Sequence, residues 1–272
     1  MTELEKQEQF MLLLLGLATR RERQIVQDNR VLFTDVMRKL RRLVQRMSPE
    51  GVFRQYEWQR LQREAPQIIN ELVVGFTETM MPELVALEEP VQEFAQDYAD
   101  LDELSFVPQT EQELLNNIFI EKLPLILFLT YNGRLTKSLF EDFNRVVNTG
   151  LLKGETTQQI ADKVLKLTIR KGKIFPVIKT GSFANKASTQ IKNTLDNAVW
   201  GTINNNLNIG WRDVTPTYWV WNAVLDGKTC PVCVPLNGKR VPRPPTFVST
   251  GYSRTLPPVH PNCRCVILPV FT

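Results

Sequence analysis

The sequence predicts a mainly α protein with a small C-terminal β-containing, zinc-binding module, an α+β chain overall. Three observations predict it. Apolar residues recur at helical spacing in one stretch after another as far as Gly210. After Pro216 the period changes to two. All four cysteines and the single histidine of the 272 residues fall between Cys230 and Cys265. Thiolate and imidazole are the side chains that bind zinc best, so their crowding into one stretch calls for a common cause.

Composition sets the bounds. Hydrophobic residues make up 43% and charged residues 23% of the chain, as in ordinary globular proteins. The length suffices for one large or two small domains with real cores. The net charge of +4 hides a split. Residues 150–272 carry 16 Lys+Arg against 5 Asp+Glu, a balance of +11, which leaves −7 for residues 1–149. Such a split suggests a basic partner-facing region attached to an acidic one. No run approaches the ~18–20 apolar residues of a membrane span. The apolar run Phe10–Ala18 is nine residues long and follows Glu3, Glu5 and Glu8, so it is not a signal peptide. It reads first as a buried helix, with a helix that docks on a partner as the alternative. A chain without a signal peptide assembles in a reducing cytoplasm.

In the first half, Phe33, Val36, Met37, Leu40, Leu43, Val44 and Met47 form one helix face, opposite Arg38, Lys39, Arg41, Arg42 and Arg46. That basic face is read as solvated, with contact to nucleic acid or an acidic neighbour as the alternative. Ser48 and Pro49 stop this helix and cap the next. Phe53, Tyr56 and Leu61 are expected on one side of it. Ala65-Pro66 and Met81-Pro82 mark further breaks. Ile68, Ile69, Leu72, Val73 and Phe76 form one apolar stripe, and Leu84, Leu87, Val91, Phe94 and Tyr98 another. Thirteen acidic residues and no Lys or Arg lie from Glu71 to Glu121, a poor surface for DNA phosphates. Asp97 to Pro108 reads as a loop, and Thr110 with Glu113 as a capping box. Pro124–Leu129 is wholly apolar, and periodicity cannot decide between buried helix and strand.

From about residue 135 a second region is expected, giving a helical region 1–134 and a domain 135–272. Ser138 and Glu141 form a capping box, Leu139, Phe143, Val146 and Val147 a helix face, and Gly150 its end. Thr156 with Gln159 opens another helix carrying Ile160, Val164 and Leu167 on one side. Residues 170–186 read as a basic loop, in which Lys171, Lys173 and Lys179 are the candidate nucleic-acid contacts. Ala187, Ile191, Leu195, Val199, Ile203 and Leu207, at steps of four, make the next helix, ended by Gly210.

In the module 217–270, Trp219, Trp221, Ala223 and Leu225 alternate with Tyr218, Val220, Asn222 and Val224, and both faces are largely apolar, as in a buried strand. The two tryptophans are read as core, with base stacking as the alternative. Asp226-Gly227 and Asn237-Gly238 are turns, Lys239–Pro242 a short second strand and Cys265–Val270 a third. Cys230 and Cys233 form one x2 pair, His260 and Cys263 another, closing a 26-residue proline-rich loop. A loop so long inside a compact unit needs an anchor. A structural zinc is preferred over disulfides or free thiols. Four ligands suffice for tetrahedral zinc, so the preferred set is Cys230, Cys233, His260 and Cys263, with Cys265 as substitute. Cys263 and Cys265 share a face only if the backbone between them is extended.

Asp226–Cys233, then Leu236-Asn237-Gly238, then Pro257–Cys265 together resemble the signature of the Mu F-like phage head morphogenesis (minor head protein) family. Gly150–Thr157 followed by Ile160-Ala161 extends the resemblance upstream. The resemblance implies a minor capsid protein of a tailed phage. It would join the portal during head assembly in the host cytoplasm and reside inside the virion near the portal, from which it leaves with the DNA in some systems. Portal, major capsid or scaffold protein and genomic DNA are the implied partners.

No enzyme signature competes with this reading. A zinc deaminase requires His-x-Glu, and Pro261 and Asn262 follow His260. There is no Gly-x4-Gly-Lys loop and no Gly-x-Gly-x-x-Gly. The expectation is a structural protein, not an enzyme. Two alternatives stay open: a DNA-binding accessory protein of the virion, and a metal-dependent hydrolase with an open ligand position beside a carboxylate.

Overall fold

The computed structural model describes residues 2–47, 55–99, 124–168, 177–178, 181–211, 216–226, 229–242, 247–249, 252–254, 257 and 262–271. Its helices are α1 (Glu3–Asp28), α2 (Arg30–Gln45), α3 (Gln55–Val85), α4 (Glu88–Ala99), α5 (Pro124–Leu152), α6 (Thr157–Val164) and α7 (Phe183–Gly210). The strands are β1 (Leu167–Thr168), β2 (Val177–Ile178), β3 (Tyr218–Ala223), β4 (Arg240–Val241), β5 (Phe247–Ser249), β6 (Tyr252–Arg254) and β7 (Cys265–Val270). The α+β reading holds: long helices, then a small sheet. The described residues fall into two compact units.

The first unit comprises Met1–Gln24, Met81–Ile126 and Asn193–Thr272. Its sheet has the order β4-β3-β7, antiparallel throughout. β3 is therefore the central strand, which is why both of its faces are apolar. Trp221 and all of β7 are buried. Phe10 of α1, Tyr98 of α4, Trp211 and Trp219 form a chain of tilted rings with centroids 4.8–6.5 Å apart. The tryptophans thus build core rather than a stacking platform. Asn222 Nδ2 donates to Gln7 Oε1 at 3.1 Å, and Arg21 Nη1 to Glu83 Oε2 at 2.7 Å, tying α1 to β3 and to the end of α3. The apolar run of α1 divides by helical phase. Phe10, Met11, Leu14, Leu17 and Ala18 are buried, whereas Leu12 and Leu13 are exposed. Among the described residues no helix is long and apolar enough to cross a membrane.

The second unit comprises Ile25–Met80 and Leu127–Lys192. Val36, Met37, Leu40, Leu43 and Val44 of α2 are buried, as their spacing predicts, and α2 packs on α6. Arg41 Nη2 donates to Asp162 Oδ1 at 2.9 Å across that contact. Lys39 pairs with Glu71 and Arg38 with Asp35, so with Arg41 three of the five residues of the basic face of α2 are engaged within the unit. Thr156 accepts from the Gln159 backbone while the Gln159 side chain accepts from Thr156 N, the expected capping box.

Several local expectations are corrected. α3 runs unbroken through Pro66 and Pro82. Proline in a helix interior costs about 3 kcal/mol. Leu61, Ala65, Ile69, Leu72 and Val73 are buried on either side of Pro66, and burial worth about 1.5–3 kcal/mol for each large side chain outweighs that cost. Pro82 lies in the last turn, and its carbonyl still accepts from Ala86 N. Tyr56, expected inward, is exposed. α5 runs on through Ser138, which starts no helix, and through Gly150, which ends none. Gly150 serves close approach instead: a Cβ there would lie 2.5 Å from Ile160 Cγ1. Leu167, expected on the face of α6, lies beyond its end at Val164 on β1, where Leu167-Thr168 pairs antiparallel with Val177-Ile178, read as loop. Asp97–Ala99, read as the start of a loop to Pro108, are the last residues of α4. The rest of that loop, Ser48-Pro49, Phe53 and the Thr110–Glu113 capping box lie outside the described residues.

Candidate metal centre

Short-range hydrogen bonds shape the described residues of the first ligand segment. Asp226 N donates to Thr229 Oγ1 at 3.0 Å and Thr229 N to Asp226 O at 3.0 Å. Threonine at this position also reaches back with its hydroxyl to Val224 O. The Cys-x2-Cys turn follows: Cys233 N donates to Cys230 O at 3.0 Å and lies 3.3 Å from Cys230 Sγ. A short 3-10 turn, Val234–Leu236, leads to Asn237-Gly238. Gly238 has φ +76, a left-handed conformation that glycine adopts without strain. Its N–H donates to Trp221 O at 2.8 Å, and the Asn237 side chain accepts from Ala223 N at 2.8 Å. The first cysteine pair is thereby fastened to the central strand.

The second ligand segment arrives on β7. Asn262 is left-handed (φ 59), a conformation asparagine tolerates, and its N–H donates to Asn197 on α7. Cys263 and Cys265 then fall on one side. Arg264 between them turns away to Asp226 Oδ1 at 2.6 Å, linking the two ligand segments by an ion pair. Cys265 pairs with Ala223 across the sheet.

The result is a buried group of three thiols, Cys233, Cys263 and Cys265, with all Sγ atoms within 4.8 Å of one another. Cys233 Sγ and Cys263 Sγ lie 3.9 Å apart, and none of the four cysteines forms a disulfide. Tetrahedral zinc with Zn–S of about 2.3 Å places sulfurs roughly 3.8 Å apart, so the spacing fits a metal after small adjustments. The electrostatics agree. Hydrogen bonds shared with Cys263 and Cys265, together with burial, push the Cys233 thiol far above its ordinary range. At Cys265 the hydrogen bond with Cys233 lowers the pKa, but the one with Cys263 and burial outweigh it, and the thiol is pushed up. Three neighbouring thiols cannot ionise together in such a place without a cation to offset the charge. The trio could hold a metal ion.

Cys230, on the first turn and only partly buried, stands outside this group, whereas Cys265, the substitute in the sequence reading, is within it. His260 and the basic residues Lys171, Lys173 and Lys179 lie outside the described residues. Sequence reasoning missed Asn204. It sits in the middle of α7, buried, and its Nδ2 donates to Cys265 O at 3.0 Å. The signal was there: Asn204-Asn205-Asn206 interrupts a long helix with three residues of low helix propensity.

Residues 141–268 match the family model described as Phage Mu protein F like protein. The chain matches none of the curated proteins and none of the solved structures.

Proposed function

From a chain whose residues 141–268 belong to the Phage Mu protein F like family, we propose a minor head protein of a tailed bacteriophage that acts in head morphogenesis by binding the portal. The observation that carries this reading is the family match across the segment that contains the cysteine cluster. The proposed division of labour is a helical region 1–134 and a Mu F-like domain 135–272. The protein would work in the host cytoplasm during assembly and then inside the virion near the portal. The portal is the first partner and the major capsid or scaffold protein the second. Genomic DNA is the partner for the basic half, with departure alongside the DNA as the end of its path.

Zinc is the proposed metal and its role is structural. Cys233, Cys263 and Cys265 would supply three ligands, and His260 or Cys230 the fourth. A closed set of four protein ligands leaves no position for a reacting water, which supports a non-enzymatic protein.

The test is proteomic and genetic. In particles of the phage that encodes this chain, the protein should be present at low copy and should co-purify with the portal from infected cells. Deleting its gene should yield defective heads. Intact infectious particles that lack the protein would refute the assignment. The metal is tested separately, by elemental analysis of the purified protein. About one zinc per chain is expected, released as pH falls, because protons compete with the metal for thiolates. Metal-free protein with two intact disulfides would sink the zinc reading while leaving the family role standing.

A further inference from the structure

The outermost line of α1 is unpartnered and self-complementary. Glu5, Glu8, Leu12, Gly16, Arg20 and Arg23 recur at steps of three and four, so they share one face of the helix. That face is opposite the buried line of Gln7, Phe10, Leu14, Leu17 and Ala18. All six are exposed. Leu12 is 68% exposed, and neighbouring Leu13 45%. A Cβ added at Gly16 would meet nothing within 4 Å. Among the described residues, Glu8, Arg20 and Arg23 have no partner within the chain, whereas Glu5 caps the helix start at Thr2.

We infer that this face pairs with the same face of a second copy of the chain, antiparallel. The argument is one of charge and shape. The stripe is acidic at its N-terminal end and basic at its C-terminal end, and its members are arranged symmetrically about position 14. Turning a second copy end to end places Glu8 against Arg20 and Glu5 against Arg23, and each pair occurs twice, as a two-fold interface requires. The same operation places Leu12 of each copy over Gly16 of the other, where the missing side chain leaves room for it. A partner of uniform charge would face repulsion at one end of the stripe, whereas a second copy faces none. Glu5 to Arg23 spans roughly 27 Å at 1.5 Å per residue. The contact is smaller than a permanent dimer interface, so association depends on concentration. Exposed ion pairs contribute to it, so it also weakens with salt.

Sedimentation velocity of the full chain, over a concentration series at low salt, tests the pairing. Self-association is expected, weakening as salt is raised. Leu12→Asp should leave the chain monomeric at every concentration, with unchanged circular dichroism because Leu12 lies outside the core. Glu8→Arg alone and Arg20→Glu alone each create like-charge contacts twice per dimer and should weaken association about tenfold or more. The double variant Glu8→Arg/Arg20→Glu restores both pairs and should recover most of the wild-type affinity. A wild-type chain that is monomeric at all concentrations overturns the inference. So does a dimer that the single charge variants leave unaltered, or one that the double variant fails to rescue.

Discussion

The helical second unit and the cysteine-bearing sheet of the first are built on different principles. In the second unit, Leu40, Ile69, Leu72, Phe143, Val147 and Ile160 are fully buried on helices of 8 to 31 residues, and apolar burial alone suffices to hold it. The sheet has strands of six, two and six residues, and the described residues of the connection from β4 to β7 include one antiparallel pair of three-residue strands. So little sheet leaves a large closure entropy to be met by other means. Three buried thiols, Cys233 ahead of β4 and Cys263 and Cys265 at the far end of the connection, are the device available. One part is stabilised by many interchangeable contacts, the other by few that cannot be exchanged.

The largest break in this contrast is expected from Cys233→Ser. Structural zinc contributes on the order of 10 kcal/mol in small zinc peptides. The variant should lose its metal and the hydrogen-exchange protection of β3 and β7, while α2 and α6 stay protected. Cys265→Ser should match it, and Cys230→Ser should retain more metal, because Cys230 lies outside the buried trio. Equal metal loss from Cys230→Ser and Cys265→Ser would instead place Cys230 among the essential ligands.

A smaller effect of the opposite kind is expected in the helical unit. Phe143 packs edge-on against Phe183 with centroids 5.6 Å apart. Phe143→Ala should cost about 3–5 kcal/mol in denaturant unfolding, with metal content unaltered. Next comes Gly150→Ala, whose methyl meets the Ile160 side chain; overpacking of about 1–3 kcal/mol should appear as a lower midpoint. Were this variant neutral or stabilising, the close approach of α5 to α6 would be looser than the structure has it. The smallest is Thr156→Ala, which removes an N-cap worth about 1 kcal/mol, read as increased fraying of α6.

The same contrast decides what was legible in the sequence. Period three to four revealed the α2 and α6 faces because those helices are buried along one stripe, and it marked α7 by its steps of four although residues 198–207 are buried on every side. Period two with both faces apolar revealed β3, because a central strand turns both faces to the core. Proline misled at Pro66 because a local rule was applied where tertiary burial on both sides outweighs it. Ser138 and Gly150 misled similarly: capping chemistry and a stop residue are found inside a helix when the residues beyond them are also apolar. At the metal centre the residue types were legible and their grouping was not. Whether Cys263 and Cys265 share a side depends on extended backbone, and that follows from β7 pairing with β3 over Ala223 and Cys265. The Asn204-Asn205-Asn206 run stood out in the sequence, but the role of Asn204 could not be read there, because it depends on a carbonyl 61 positions away.

The central position of β3 has a consequence in time. Its partners on β7 lie 42 to 52 positions further along the chain. A ribosome adding about 5–20 residues per second needs roughly 2–10 s to produce them. During that interval β3 has at most β4 beside it, Trp219 and Trp221 lack their cover, and an open strand edge faces the crowded cytoplasm. Cys233 waits through the same interval for Cys263 and Cys265, so metal capture comes after synthesis of the strand it locks and cannot guide its early folding.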